Sequence, residues 1–275
     1  MGFLHSSRAR GRVPGVLRAA ADVRFVRHEG EGDAATRLYF VVPTFGEAAH
    51  ELFEQRRLWD DGPKQEQTAF ELFGSALNDV AARRTDSNRF DPGLLRRISR
   101  YRRVLKRGIE RIDLPDVQLE ESPRLDATVV RAASELEAIT PSARRVRIVG
   151  RLDVMGASQG VLKLDVRPGQ IVTALWDGPE PLESLRDHFN RDVVLEGVAV
   201  FRPSGALLRV DADAIAAASP ADDFFRTLPR GVPARDYRRL ARLKPGEPSA
   251  YAQILGSIPA EEPDEDFAAA IDALS

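Results

Sequence analysis

Five short apolar runs in the middle of the chain decide the fold. They read VRIVGRLDVM (146–155), VLKLDV (161–166), IVTALW (171–176), DVVLEGVAVF (192–201) and LLRVDADAI (207–215). The runs are rich in Val, Ile and Leu, and glycine- or proline-containing turns separate most of them, which is typical of strands. A short amphipathic stretch, residues 179–189, predicts a helix between the third and fourth strands. Because Gly150 and Gly197 lie inside strands, where a sheet must bend, we predict a small closed barrel over residues 142–218.

The order of three strands, one helix and two strands is similar to that of small OB-type and SH3-like barrels. Upstream, residues 16–113 predict an N-terminal α+β domain, after an Arg-, Gly- and Ser-rich mobile leader over residues 1–15. Alternating apolar residues on either side of GEGDAA predict a β-hairpin between Asp22 and Pro43. Thr44 and Glu47 have the spacing of a capping box, so a helix should begin there and run towards Trp59.

Two further helices are predicted before residue 113. Apolar residues at steps of three and four predict the first between Gln65 and Arg83. Asp91 is a good N-cap and Pro92 suits the first helical position, so the second helix should begin there. Its apolar stripe continues without a break through six residues, Leu94, Ile98, Tyr101, Leu105, Ile109 and Ile112. We therefore predict one long helix that reaches residue 112.

Residues 114–141 predict a linker followed by a helix from Asp126 to Ile139. The run ATVV (127–130) leaves open the alternative that a strand begins there. Residues 219–275 predict a short-helical tail. The expected fold class is therefore α+β, with an N-terminal hairpin and helices, a five-stranded barrel-like domain and a helical C-terminal segment.

Composition limits the possible functions. The chain has 275 residues, of which 43% are hydrophobic and 30% charged, so it can bury a sizeable core. It has no cysteine, which excludes disulfides, zinc ribbons, iron–sulfur clusters and thiol nucleophiles. No run approaches the roughly 18 apolar residues of a membrane span. We expect a cytoplasmic protein that does not contact membranes.

The net charge of −2 hides a strong local asymmetry. Between Arg83 and Arg111 eleven basic residues stand against three acidic ones, Asp86, Asp91 and Glu110. On the predicted long helix the basic residues form one outward face, which could follow a phosphate backbone or simply remain solvated. The candidate nucleic-acid-binding residues are Arg96, Arg97, Arg100, Arg103 and Arg107.

The C-terminal tail has the opposite charge. Its last helix is apolar on one side and acidic elsewhere, a pattern that suits a segment ordering on a partner. The candidate partner-binding residues are Ile254, Ile258, Phe267, Ile271 and Leu274. The stretch GSIPAEEPDEDFAAAIDAL (256–274) resembles the tails of bacterial antitoxins that clasp PIN-type ribonucleases. The resemblance covers about the last 20 residues and implies a regulatory, defence-associated protein whose partner is a ribonuclease toxin. Residues 256–274 contain no Arg that could enter the toxin's acidic site.

Catalytic motifs are missing from the sequence. It has no phosphate-binding loop, dinucleotide fingerprint or nucleophile elbow. We therefore predict a non-catalytic binding protein without a cofactor or metal, which docks a protein partner through its tail, with nucleic-acid binding by the Arg-rich helix as an alternative. A second alternative is a metal-dependent nuclease or other hydrolase, in which the fold gathers Asp153, Asp165, Asp211 and Asp213 around Mg²⁺.

Overall fold

The computed structural model describes residues 15–30, 35–48, 63–115, 119, 121–156, 160–167 and 169–232. The chain divides into two compact units, Met1–Ala234 and Arg235–Ser275, and all described residues belong to the first. Residues 1–14 of the leader predicted over residues 1–15, and the predicted helix beyond residue 48, lie outside the described residues, while Gly15 begins a helix. The same holds for the whole second unit, which contains all five candidate partner-binding residues of the tail.

Five strands close into the predicted barrel. They are β5 (Arg144–Gly156), β6 (Val161–Arg167), β7 (Gln170–Trp176), β8 (Asp192–Phe201) and β9 (Leu207–Ala217). The order around the barrel is β5-β6-β7-β9-β8, and β5 pairs with β8 to close it. β7 and β9 are parallel, and the other neighbours are antiparallel. A 3-10 helix, Leu182–His188, connects β7 to β8 where the sequence predicted a helix.

The barrel interior is filled by alternate residues of these strands. Side chains such as Ile148, Leu164 and Leu195 are fully buried in one apolar cluster. Gly197 lies where the register between β8 and β9 shifts, and a Cβ there would come within 2.3 Å of the carbonyl oxygen of Asp211. A side chain at residue 197 would therefore push the two strands apart, which explains the glycine predicted at a bend.

A second apolar cluster is built from three helices. These are α3 (Ala69–Ala81), α4 (Pro92–Arg100) and α6 (Ala127–Ile139), and their buried side chains include Leu77, Leu95 and Val129. Each helix begins at an N-cap side chain that accepts a backbone N–H bond: Thr68, Asp91 and Asp126. The caps at Asp91 and Asp126 confirm the predicted helix starts, and α3 begins four residues after the predicted Gln65.

The N-terminal elements confirm the predicted hairpin. After α1 (Gly15–Ala20), β1 (Arg24–Glu29) and β2 (Arg37–Val41) pair antiparallel. The capping box also forms, since Glu47 N donates to Thr44 Oγ1 and Thr44 N donates to Glu47 Oε2 at the start of α2 (Phe45–Ala48). This accepting role lowers the pKa of Glu47, because hydrogen bonds from Thr44 stabilise the carboxylate.

The single long helix predicted from Asp91 to residue 112 is wrong. α4 ends at Arg100, and a separate short helix, α5 (Arg102–Leu105), follows it. Gly108 then takes a positive φ of 96°, a conformation that leaves the helix. Ile112 belongs to β3 (Arg111–Asp113), which pairs with β4 (Arg124–Asp126) across the segment predicted as a linker. The α+β class with a small barrel is nevertheless confirmed, and none of the described helices is long and apolar enough to cross a membrane.

Candidate functional site

A cleft of about 1070 Å³ lies between the barrel and the helical cluster. One wall is formed by β6, β7, the start of β9 and the β8–β9 loop. The other wall is formed by α3 and by residues 82–90, which we name the arginine loop. Basic side chains outnumber acidic ones in the lining, and we name this space the cationic cleft after its basic residues Lys64, Arg83, Arg84, Arg89, Lys163 and Arg202. Arg209 also lines the cleft, but it is buried and paired with Asp91 and Asp211.

Acidic side chains in the lining are fewer. Asp79 and Asp86 are the acidic residues among those that line the cleft, and Asp79 is almost fully buried. Arg83 is paired with Glu135 outside the cleft, at 3.0 Å. The remaining balance is positive, so the cleft attracts anions and concentrates its field between low-dielectric walls.

Arg202, in the β8–β9 loop, bridges the two walls. Its Nε and Nη2 donate to Asn88 Oδ1 in the arginine loop, and its Nη1 donates to the carbonyl oxygen of Leu207. Both partners are neutral, so these contacts satisfy donors without cancelling the charge. Burial lowers the pKa of Arg202 because desolvation disfavours the guanidinium, while the charge of Asp86 opposes the shift. An anion in the cleft would relieve this cost.

The barrel wall presents Lys163, Ile171 and Thr173. Lys163 and Thr173 are cross-strand neighbours on β6 and β7, and Ile171 is 60% exposed. Their neighbours Leu164 and Val172 face the barrel core, because successive strand residues point to opposite sides. Among the lining residues that the structure describes, none is aromatic or a histidine.

The arginines predicted on one helix do not share a helix. Arg96, Arg97 and Arg100 lie on α4, Arg103 lies on α5 and Arg107 follows α5. All five are exposed, and Arg96 pairs with Glu137 on α6 at 3.0 Å. Within the described residues, the other four make no ion pair. None of the five lines the cationic cleft, so the structure separates them from Lys163 and Arg202, which the sequence did not single out.

The four carboxylates of the metal-site alternative are each close to an arginine. Asp211 accepts from Arg209 at 2.9 Å in the interior, and Asp213 accepts from both terminal nitrogens of Arg145 on the surface. Asp153 and Asp165 both approach Arg151, at 3.9 and 3.8 Å. Over the described part of the chain, no three His, Asp or Glu side chains come close enough together to hold a metal ion. The positions of these four carboxylates therefore do not support the metal-dependent alternative.

Comparison with known proteins does not assign the chain to a family. No protein-family model matches it, and comparison with curated proteins and with solved structures finds no match. The likeness of residues 256–274 to antitoxin tails stays a prediction, because those residues lie outside the described part. What the protein binds must be inferred from the chemistry of the cationic cleft.

Proposed function

We propose that this chain is a non-catalytic nucleic-acid-binding protein that holds a phosphate backbone in the cationic cleft. The observation that carries the proposal is that the barrel residues Lys163 and Arg202 line one cleft together with the basic residues of the opposite wall. The strand order β5-β6-β7-β9-β8, with β7 and β9 parallel, favours an OB-type over an SH3-like barrel. OB-type barrels bind oligonucleotides on their second and third strands and the loops beside them. In this chain those strands are β6 and β7, which carry Lys163 and Ile171.

The chemistry of the lining fits a phosphodiester. Guanidinium and ammonium groups neutralise phosphates and release counterions, which gives affinity without sequence preference. Arg202 contributes a charge that its hydrogen-bond partners do not neutralise, with Asp86 as the nearby carboxylate. The proposal keeps the cytoplasmic location expected from the sequence. Docking of a protein partner by the tail remains a separate proposal with separate residues.

Fluorescence anisotropy of the full chain with a labelled single strand of about 12 nucleotides tests the proposal, since OB-type barrels cover about 4–16 nucleotides. We expect binding that weakens steeply between about 50 and about 200 mM salt. Lys163→Glu should reduce the affinity about tenfold or more, because one charge-assisted contact is worth about 1.5 kcal/mol and becomes repulsive.

The matched control is Arg131→Glu, the same change of charge at an exposed residue of α6 that does not line the cleft. It should change the affinity little. A double variant, Arg97→Gln with Arg100→Gln, distinguishes the cleft from the α4 surface and should also bind almost normally. No binding by the wild-type chain at about 50 mM salt, or equal losses in Lys163→Glu and Arg131→Glu, would exclude the cleft as the binding site.

A further inference from the structure

One buried carboxylate organises the arginine loop. The side chain of Asp79, on α3, is 4% exposed and accepts from Nη1 of Arg84 at 3.0 Å. Both of its oxygens also accept from Nη1 of Arg89, each at 3.0 Å. A third partner is Ser87, whose hydroxyl donates to Oδ2 at 2.6 Å. Asp79 thereby holds two guanidinium groups side by side at the edge of the cleft.

The loop backbone is fixed by the same group of contacts. Arg84 N donates to the carbonyl oxygen of Asp79 at 3.0 Å, and Arg89 N donates to Ser87 Oγ at 3.0 Å. The barrel supports the loop from the other side, where Ser204 N donates to the carbonyl oxygen of Thr85 at 3.2 Å. The two arginines therefore have little freedom to lose when a ligand binds, which favours affinity.

The charges of this group do not cancel. Two guanidinium groups share one carboxylate, so a net charge of about +1 remains. The contacts with Asp79 occupy only Nη1 of each arginine, and in the described part of the chain Nε and Nη2 have no other partner. Arg84 and Arg89 are 64% and 52% exposed, so these donors remain accessible from the cleft.

We propose that Arg84 and Arg89, positioned by Asp79, form a clamp that binds a phosphate group in the cationic cleft. The proposal rests on the proposed function and names its phosphate-binding residues on the helical wall. Each guanidinium can offer paired N–H donors to phosphate oxygens, a geometry that lysine does not supply. A nucleic-acid backbone and free phosphate present the same oxygens to the clamp.

The sign of one substitution tests the positioning role of Asp79. Asp79→Asn removes a negative charge from a cleft that binds anions. If Asp79 acted only through its charge, the variant would bind the labelled single strand more tightly. The clamp predicts the opposite, about a tenfold loss, because Arg84 and Arg89 are released. Ser87→Ala keeps the charge unchanged and should weaken binding about threefold, which covers the case in which Asp79→Asn fails to fold.

The salt dependence of the affinity measures how many phosphate groups the protein contacts. Arg84→Gln with Arg89→Gln removes two contacts and should lower the slope of log affinity against log salt by roughly 1.4, since each contact with a single strand contributes about 0.7. The double variant Arg97→Gln with Arg100→Gln loses the same charge outside the cleft and should keep the wild-type slope. Equal slopes in the two double variants would overturn the clamp and leave the proposed function standing.

The NMR signals of the arginine Nε–H groups distinguish the two sources of phosphate. Titration with inorganic phosphate and with the single strand should shift the signals of Arg84 and Arg89 in both cases, with the single strand acting at lower concentration. A response to inorganic phosphate alone would support the clamp and refute the nucleic-acid function. A single strand that binds without shifting either signal would refute the clamp, and so would the absence of a response to both probes.

Discussion

Arg209 is the most deeply buried charged residue at the junction of barrel and helices, with 1% of its side chain exposed. Its Nε donates to Asp211 Oδ1 at 2.9 Å on the same strand, and its Nη1 donates to Asp91 Oδ2 at 3.2 Å. The other oxygen of Asp91 accepts from Leu94 N at 2.8 Å and caps α4. One side chain of β9 therefore holds the start of a helix in the other cluster.

Replacement of Arg209 by Met should lower the free energy of unfolding by about 3–5 kcal/mol, because Asp91 would remain buried after losing its ion pair with Arg209. Urea unfolding measures the loss. The matched control is Arg145→Met, which removes an arginine of the same barrel from the exposed pair with Asp213. That change should have little effect, because solvent and salt screen the pair. Equal losses in both variants would contradict the role of burial.

At the scale of single elements, α3 begins with a capping box in which both hydrogen bonds are formed. Thr68 Oγ1 accepts from Glu71 N at 3.2 Å, and Thr68 N donates to Glu71 Oε2 at 2.6 Å. Thr68→Ala should therefore cost about 1 kcal/mol in the free energy of unfolding. Thr68→Ser keeps the hydroxyl and should restore most of it, as measured by urea unfolding. A serine variant as unstable as the alanine variant would show that the methyl group, not the cap, matters.

Elements defined by local chemistry could be predicted from the sequence. The strands of the barrel and the helix starts at Asp91 and Asp126 depend on turn residues and caps within a few positions of the chain. The end of α4 could not be predicted, because the apolar steps from Leu94 to Ile112 fit one helix. Pairing of Ile112 with Leu125, a contact distant in sequence, outweighs that periodicity.

At the scale of the whole molecule, the cationic cleft could not be predicted from the sequence. Its lining comes from residues 63–89, 163–173, 202–209 and 228, which no local pattern connects. Lys163 is a single basic residue in an apolar strand, and the arginine loop has no secondary structure of its own. The arginines from Arg96 to Arg107 predicted a binding surface because their charges are close together in sequence. Barrel closure, a long-range property, decides which charges share a cleft.

The two apolar clusters should unfold together, because hydrogen bonds between described residues join them. Among these bonds are Arg209 with Asp91, Arg202 with Asn88, and Ser204 N with the carbonyl oxygen of Thr85. Trp176 packs against the barrel core and reports on the barrel, while far-ultraviolet circular dichroism reports mainly on the helices. With Trp59→Phe, Trp176 is the only tryptophan. In that background the two urea transitions should coincide, and Arg209→Met should separate them by removing the buried link. Transitions already separate before that substitution would show that the cleft has two independently stable walls.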